Sequence, residues 1–139
     1  MKRIQIGKLN RAIREDLYNM HAMYTDPDAN ERAFYQKYVD IVEIDLNSIP
    51  DSQLYQHMNE EECKEYVDIL KNEETRFAVV ADGKLLDGMH RITSLKSIGE
   101  KKMLAVDLSG LIDPHPHMAG HICDVEYKSN KVTRKNKLR

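Results

Sequence analysis

The sequence predicts a single α/β domain of the α+β kind, a small mixed sheet with flanking helices and an N-terminal helical extension. Three observations predict it. The 139 residues are 41% hydrophobic and 32% charged, enough for one compact core and too few to divide comfortably into two. Runs with helical apolar spacing are interleaved with short β-branched runs. Asp82-Gly83 joins two of the β-branched runs with the residues that a two-residue hairpin turn demands.

Ile13, Leu17, Met20 and Tyr24 recur at helical spacing after Asn10, a residue that caps helix starts, so a first amphipathic helix is expected over 10–24. Asp26-Pro27-Asp28 interrupts it, and Glu31 to Val39, with Phe34, Tyr35 and Tyr38, reads as a second short helix. Residues 1–40 are therefore expected to form the helical extension. Ile41 to Leu46 reads as the first strand, followed by a turn over 47–51 that contains Pro50. Asn59 and Glu62 resemble a capping pair, and Cys63, Tyr66, Val67 and Leu70 share one face of a helix. Arg76 to Ala81 and Lys84 to Leu86 are the arms of the hairpin. A helix from Met89 to Ile98 packs through Ile92, Leu95 and Ile98 and stops at Gly99. Lys102 to Leu108 and Ile122 to Tyr127 are the remaining strands, so the α/β domain spans 41–127.

Charge is unevenly placed. Residues 128–139 carry six basic side chains and no acidic ones, leaving a body with 15 basic against 23 acidic residues. An acidic body is not the footprint of a domain that wraps nucleic acid, whereas the tail, read as disordered, offers non-specific contacts to DNA phosphates. Cys63 and Cys123 are too few and too far apart for a disulfide framework. No apolar run approaches the ~20 residues of a membrane span, and the first ten residues lack the apolar centre of a secretory signal. The expected location is cytoplasmic.

The chemistry concentrates in Leu85-Leu86-Asp87-Gly88-Met89-His90-Arg91-Ile92, a strand that turns through glycine into a helix. A helix start leaves backbone N–H groups without intrahelical partners, glycine permits close approach to the main chain, and an arginine grips two phosphate oxygens at once. Gly88, Met89, His90, Arg91 and Ser94 are the candidate phosphate-binding residues. Asp87 suits a residue that holds Mg²⁺ or orients His90, or else an ordinary turn or cap carboxylate that locks the helix entrance. Thr93 is read as bonding back to the preceding helical turn, and Lys96 as solvated.

This order of elements, with Asp87, Gly88, His90 and Arg91 in place, resembles the ParB and sulfiredoxin-like superfamily over about Val42 to Leu108. Within it the Asp-Gly-x-His-Arg pattern is similar to that of ADP-dependent free serine kinases and of the DGQHR proteins of DNA-modification systems. The resemblance implies a purine nucleotide, ATP or ADP, bound through its phosphates with Mg²⁺, and NTP hydrolysis or phosphoryl transfer. It also implies a catalytic carboxylate in the loop after the first strand, where Asp51 stands, with Gln53, Gln56 and His57 in the loop that covers the nucleotide. Asp51, Asp87 and His90 are the expected catalytic residues. Met89 stands where a sulfiredoxin carries its reactive cysteine, which excludes sulfinic acid reduction. The residues after 108 are too few for the helix-turn-helix region of a ParB partition protein.

His115, His117 and His121 place half of the chain's six histidines within seven residues, a compositional hint of zinc or another transition metal. Two other classes of function remain open: a DNA-associated module, with backbone binding or weak nuclease activity, and a non-catalytic interaction protein. The second would use Met20, Met23, Tyr24 and Phe34 of the N-terminal helices to dock a partner. A homodimer is also compatible with the sequence.

Overall fold

In the computed structural model, which describes residues 2–55, 58–65, 77–114 and 123–128, the chain folds around one mixed sheet. Strand β1 (Lys2–Gln5) leads through a short 3-10 turn to α1 (Arg11–Tyr24) and α2 (Glu31–Tyr35). The side chains of Asn10 and Asn30 cap these helices, accepting the N–H groups of Ile13 and Ala33 at 3.0 Å. Strand β2 (Tyr38–Asp45) follows, then 3-10 turns at Leu46–Ser48 and Asp51–Gln53. Residues 60–65 are helical (α3), opened by Asn59, whose side chain accepts the Glu62 N–H at 2.8 Å. The chain continues through β3 (Ala78–Ala81), β4 (Lys84–Asp87), α4 (Met89–Ser97), β5 (Lys102–Asp107), β6 (Cys123–Asp124) and β7 (Glu126–Tyr127).

The strand order is β1-β2-β5-β3-β4-β6, with β7 also paired to β2. Among the described strands only β3 and β5 run parallel, because α4 carries the chain back across the sheet between β4 and β5. Strands β6 and β7 are separated by Val125 alone, yet one pairs with β4 and the other with β2. The five residues 123–127 therefore close β2, β5, β3 and β4 into a ring. Alternation along the strands sends Val42, Ile44, Val80, Leu85 and Ala105 to one core, where they meet Met89 and Ile92 of α4 and Ile49 of the loop after β2. Ile41, Val79 and Val106 face the opposite core, built with Leu17 of α1, Phe34 of α2, and Ile6 and Leu9.

Residues 1–40 thus differ from the helical extension expected of them. β1 pairs antiparallel with β2 from Lys2↔Ile41 to Gln5↔Tyr38, and Ile6, Leu17 and Phe34 are buried in a core shared with the sheet. The second helix ends at Tyr35 instead of reaching Val39, which is buried in β2. Helical spacing of Phe34, Tyr35 and Tyr38 is equally compatible with a helix that stops early, and the pairing of β2 with β5 and β1 decides where. Ile98 was expected to pack but is 49% exposed, lying past the last turn of α4. The last expected strand is split in two at Val125, whose N–H bonds to the Gly83 carbonyl at 3.0 Å. Both cysteines are buried and unpaired thiols. Among the described residues no helix is long and apolar enough to cross a membrane.

Candidate functional site

The hairpin that delivers the Asp-Gly-x-His-Arg turn has the backbone its residues imply. Asp82 and Gly83 both have positive φ, 49° and 80°, as the primed turns of tight hairpins require. Their N–H groups are satisfied by side chains: Asp82 donates to Ser109 Oγ at 2.8 Å and Gly83 to the Tyr127 hydroxyl at 2.9 Å. Further along, Val80 pairs with Leu85 but Val79 with Asp87, so β4 spends an extra residue, Leu86. Such a bulge re-aims the side chains beyond it. It brings Asp87 to the same cleft that Val79 and Val106 line.

Gly88 follows at φ +115° and ψ 12°. A Cβ there would lie 3.0 Å from Ala78 Cβ and 3.1 Å from Ala78 Cα, so both the backbone conformation and the contact with β3 demand glycine. The result is that α4 starts pressed against the sheet, and its N-cap residue brings no side chain to cap the N-terminus. Met89 and Ile92 are buried in the ring's core and hold the helix down. Met89 therefore offers a ligand its backbone rather than its side chain. Ser94 is buried, and its hydroxyl donates to the His90 carbonyl at 2.8 Å; Thr93 does the same to Met89. Both hydroxyls bond back along the helix, which corrects the placing of Ser94 among the phosphate ligands and matches the reading of Thr93.

Successive residues of a helix project about 100° apart, and this sends His90 and Arg91 to different flanks of the turn. On one flank the exposed His90 ring lies 4.2 Å from the Tyr55 ring, centroid to centroid, tilted by 59°. The segment 49–55 is laced to α4 beneath them. The Tyr55 N–H donates to Thr93 Oγ1 at 3.2 Å, and Lys96 Nζ donates to the Ile49 carbonyl at 2.8 Å and pairs with Asp51 at 3.1 Å. Lys96, expected to be solvated, is thus a tie, its side chain only 14% exposed. Asp51 is thus tied to Lys96, a residue of the last turn of α4.

On the other flank Arg91 Nη1 donates to the Phe77 carbonyl at 3.2 Å, and Asp87 lines the same side. Both line a cleft of about 420 Å³ whose far wall is the first part of α1, including Asn10, Ile13, Asp16 and Leu17. No protein family, curated protein or solved structure matches this chain.

Gln53 is exposed at the end of its 3-10 turn, whereas Gln56 and His57 lie outside the described residues. So do His115, His117 and His121 and the tail from residue 129. Among the described residues no group of three or more His, Cys, Asp or Glu side chains is placed to hold a metal. Of the surface proposed for partner docking, Phe34 is buried and Met20 and Tyr24 pack on the core, which leaves Met23. Reasoning from sequence missed the α1 wall of the cleft, Phe77, and the Tyr55 and Lys96 ties. The one available signal was Asn10, whose capping role places the start of α1 but not what it faces.

Proposed function

We propose that this protein binds a purine nucleotide, ATP or ADP, by its phosphates at the start of α4, and hydrolyses it or transfers its terminal phosphoryl group. The observation that carries this reading is the α4 N-terminus: its N-cap residue is a glycine with no side chain to cap it, a glycine the fold itself requires, and Arg91 of the first turn is held by a backbone carbonyl. The helix end supplies N–H donors and partial positive charge, and Arg91 supplies a planar cation for two phosphate oxygens. His90, exposed on the other flank, adds a side-chain hydrogen-bond donor.

A carboxylate beside a phosphate site needs a reason, because it repels the anion. Asp87 lines the same cleft as Arg91. Mg²⁺ is characteristically held by one or two carboxylates together with substrate phosphates, and Asp87 is of the type that would hold it. The ion would neutralise charge building on the transferred group, which is most of what phosphoryl transfer asks of an enzyme. Asp87 directly precedes Gly88 and lines the cleft with Arg91, and we assign it the metal-holding role.

Phosphate release from ATP, measured with and without Mg²⁺, tests the catalytic half of the proposal. Asp87→Asn should lower turnover by about 10²-fold or more, since it removes a metal-holding charge. Release that is independent of Mg²⁺ and unchanged in that variant would contradict the assignment.

A further inference from the structure

The two flanks of the α4 N-terminus are not equivalent, and the difference says where the rest of a nucleotide would go. On the His90 flank the Tyr55 ring already lies against the imidazole, and the segment below is tied to α4 through Thr93 and Lys96. On that flank the imidazole already has an aromatic neighbour. On the Arg91 flank there is a cleft of about 420 Å³, within the ~300–1,000 Å³ typical of small-molecule sites and far more than a phosphate group needs.

We infer that this cleft between α1 and the sheet is a nucleoside pocket, which receives the base and sugar of a ligand whose phosphates meet the α4 turn. The inference rests on the phosphate-binding reading above and adds to it the place and chemistry of the ligand's uncharged half. The lining has two zones. Val79 and Val106 from the sheet and Ile13 and Leu17 from α1 are apolar, while Arg91 and Asp87 stand where the cleft meets the turn. A ligand that fits both zones is uncharged and flat at one end and anionic at the other, which describes a nucleotide and not inorganic phosphate.

The charges on the α1 side agree with that orientation. Arg11 is drawn along its own helix into an ion pair with Glu15 at 2.8 Å, so the strong cation at the cleft is Arg91. Asp16, an exposed carboxylate of the α1 wall, accepts hydrogen bonds and suits the exocyclic amine of a base such as adenine. The phosphates are therefore directed to the Arg91 end and the base to the α1 end. Residues 10–17 become the part of the chain that distinguishes a nucleotide from a bare polyphosphate.

The test compares ATP with inorganic tripolyphosphate by calorimetry, both with Mg²⁺, on the full chain and on Ala12→Trp and Ile13→Trp. Ala12 is exposed and Ile13 half-buried, so either can carry a larger ring that fills the cleft while leaving the turn intact. The parent protein should bind ATP at least about tenfold more tightly than tripolyphosphate, and the filled variants should lose that preference while tripolyphosphate affinity stays within about twofold. Equal affinity of the parent protein for both ligands, or a preference that survives in both filled variants, would place the nucleoside elsewhere and overturn the inference while leaving phosphate binding standing. Binding of neither ligand would overturn the phosphate-binding reading and this one with it. Should a variant unfold, the methyl resonances of Ile13, Val79 and Val106 in the parent protein report the same thing: they shift on adding AMP if the cleft is occupied and stay in place if it is not.

Discussion

Gly88 shows how a single residue can be required twice. Its φ of +115° belongs to glycine, and its missing Cβ makes room for Ala78. Gly88→Ala should therefore destabilise the protein by about 2–4 kcal/mol in urea unfolding, from backbone strain and overpacking together. Adding Ala78→Gly should recover the overpacking part and not the strain. A loss below about 0.5 kcal/mol would mean that the helix start moves freely, contrary to the anchoring described. The glycine was legible in sequence as a ligand-approach residue; that it is also a packing residue was not, because nothing in sequence says that Ala78 lies behind it. His21 is a second case. It is buried against Phe34, ring centroids 4.8 Å apart, with Nδ1 lacking a hydrogen-bond partner among the described residues, and burial foremost, with Lys37 adding, pushes its pKa below the ordinary 6.5. Asp26 opposes that shift without cancelling it. A histidine depressed in the folded state takes its proton more readily in the unfolded one, so its contribution is fully present above about pH 6.5 and is lost as pH falls below it. His21→Phe should flatten the stability profile between about pH 6.5 and 5, and an unchanged slope would show that this imidazole is not responsible.

Among the elements, those with strong local signals stand where the sequence places them. Asn10 and Asn59 cap their helices, Asp82-Gly83 turns the hairpin, and Met89 opens α4. The elements that were missed depend on pairing. β1 is a four-residue edge strand whose Lys2 and Arg3 are exposed, so its alternation is faint, and it exists because β2 offers it a partner. β6 and β7 are two residues each, too short for any periodicity. The loop 49–55 was legible as a turn, but its attachment to α4 came from a lysine that reads as solvent-facing in sequence. Lys96→Met keeps the aliphatic stem and removes the bonds to the Ile49 carbonyl and Asp51. Since Asp51 is exposed, its ion pair contributes little, and the carbonyl bond dominates. The expected cost is about 1 kcal/mol of stability, with faster hydrogen exchange at the Tyr55 N–H. Unchanged exchange there would mean that the loop is held by Thr93 and packing alone.

For the whole molecule, ring closure by residues 123–127 explains why one small sheet can carry two cores and still present its turn rigidly. Tyr127 is the staple. Its hydroxyl takes the Gly83 N–H of the hairpin tip, and burial pushes its phenol up to about 12, so it stays protonated through the neutral range. The hairpin anchored in this way positions Asp87 and Gly88, and α1, folded onto the same sheet, supplies the cleft's second wall. That arrangement explains which half of the site was legible. Asp87, Gly88, His90 and Arg91 are contiguous, and local chemistry announces them. Ile13, Asp16, Phe77 and Val106 come from three distant stretches that only the tertiary fold unites. The central claim is that the start of α4 holds nucleotide phosphates, and the most direct measurement is calorimetric titration of the full chain and of Arg91→Ala with ATP in the presence of Mg²⁺. The account predicts saturable binding by the parent protein and a loss of affinity of at least about tenfold in the variant, whose melting temperature should be little changed. Equal affinity in the two proteins, or no binding by the parent, would contradict it.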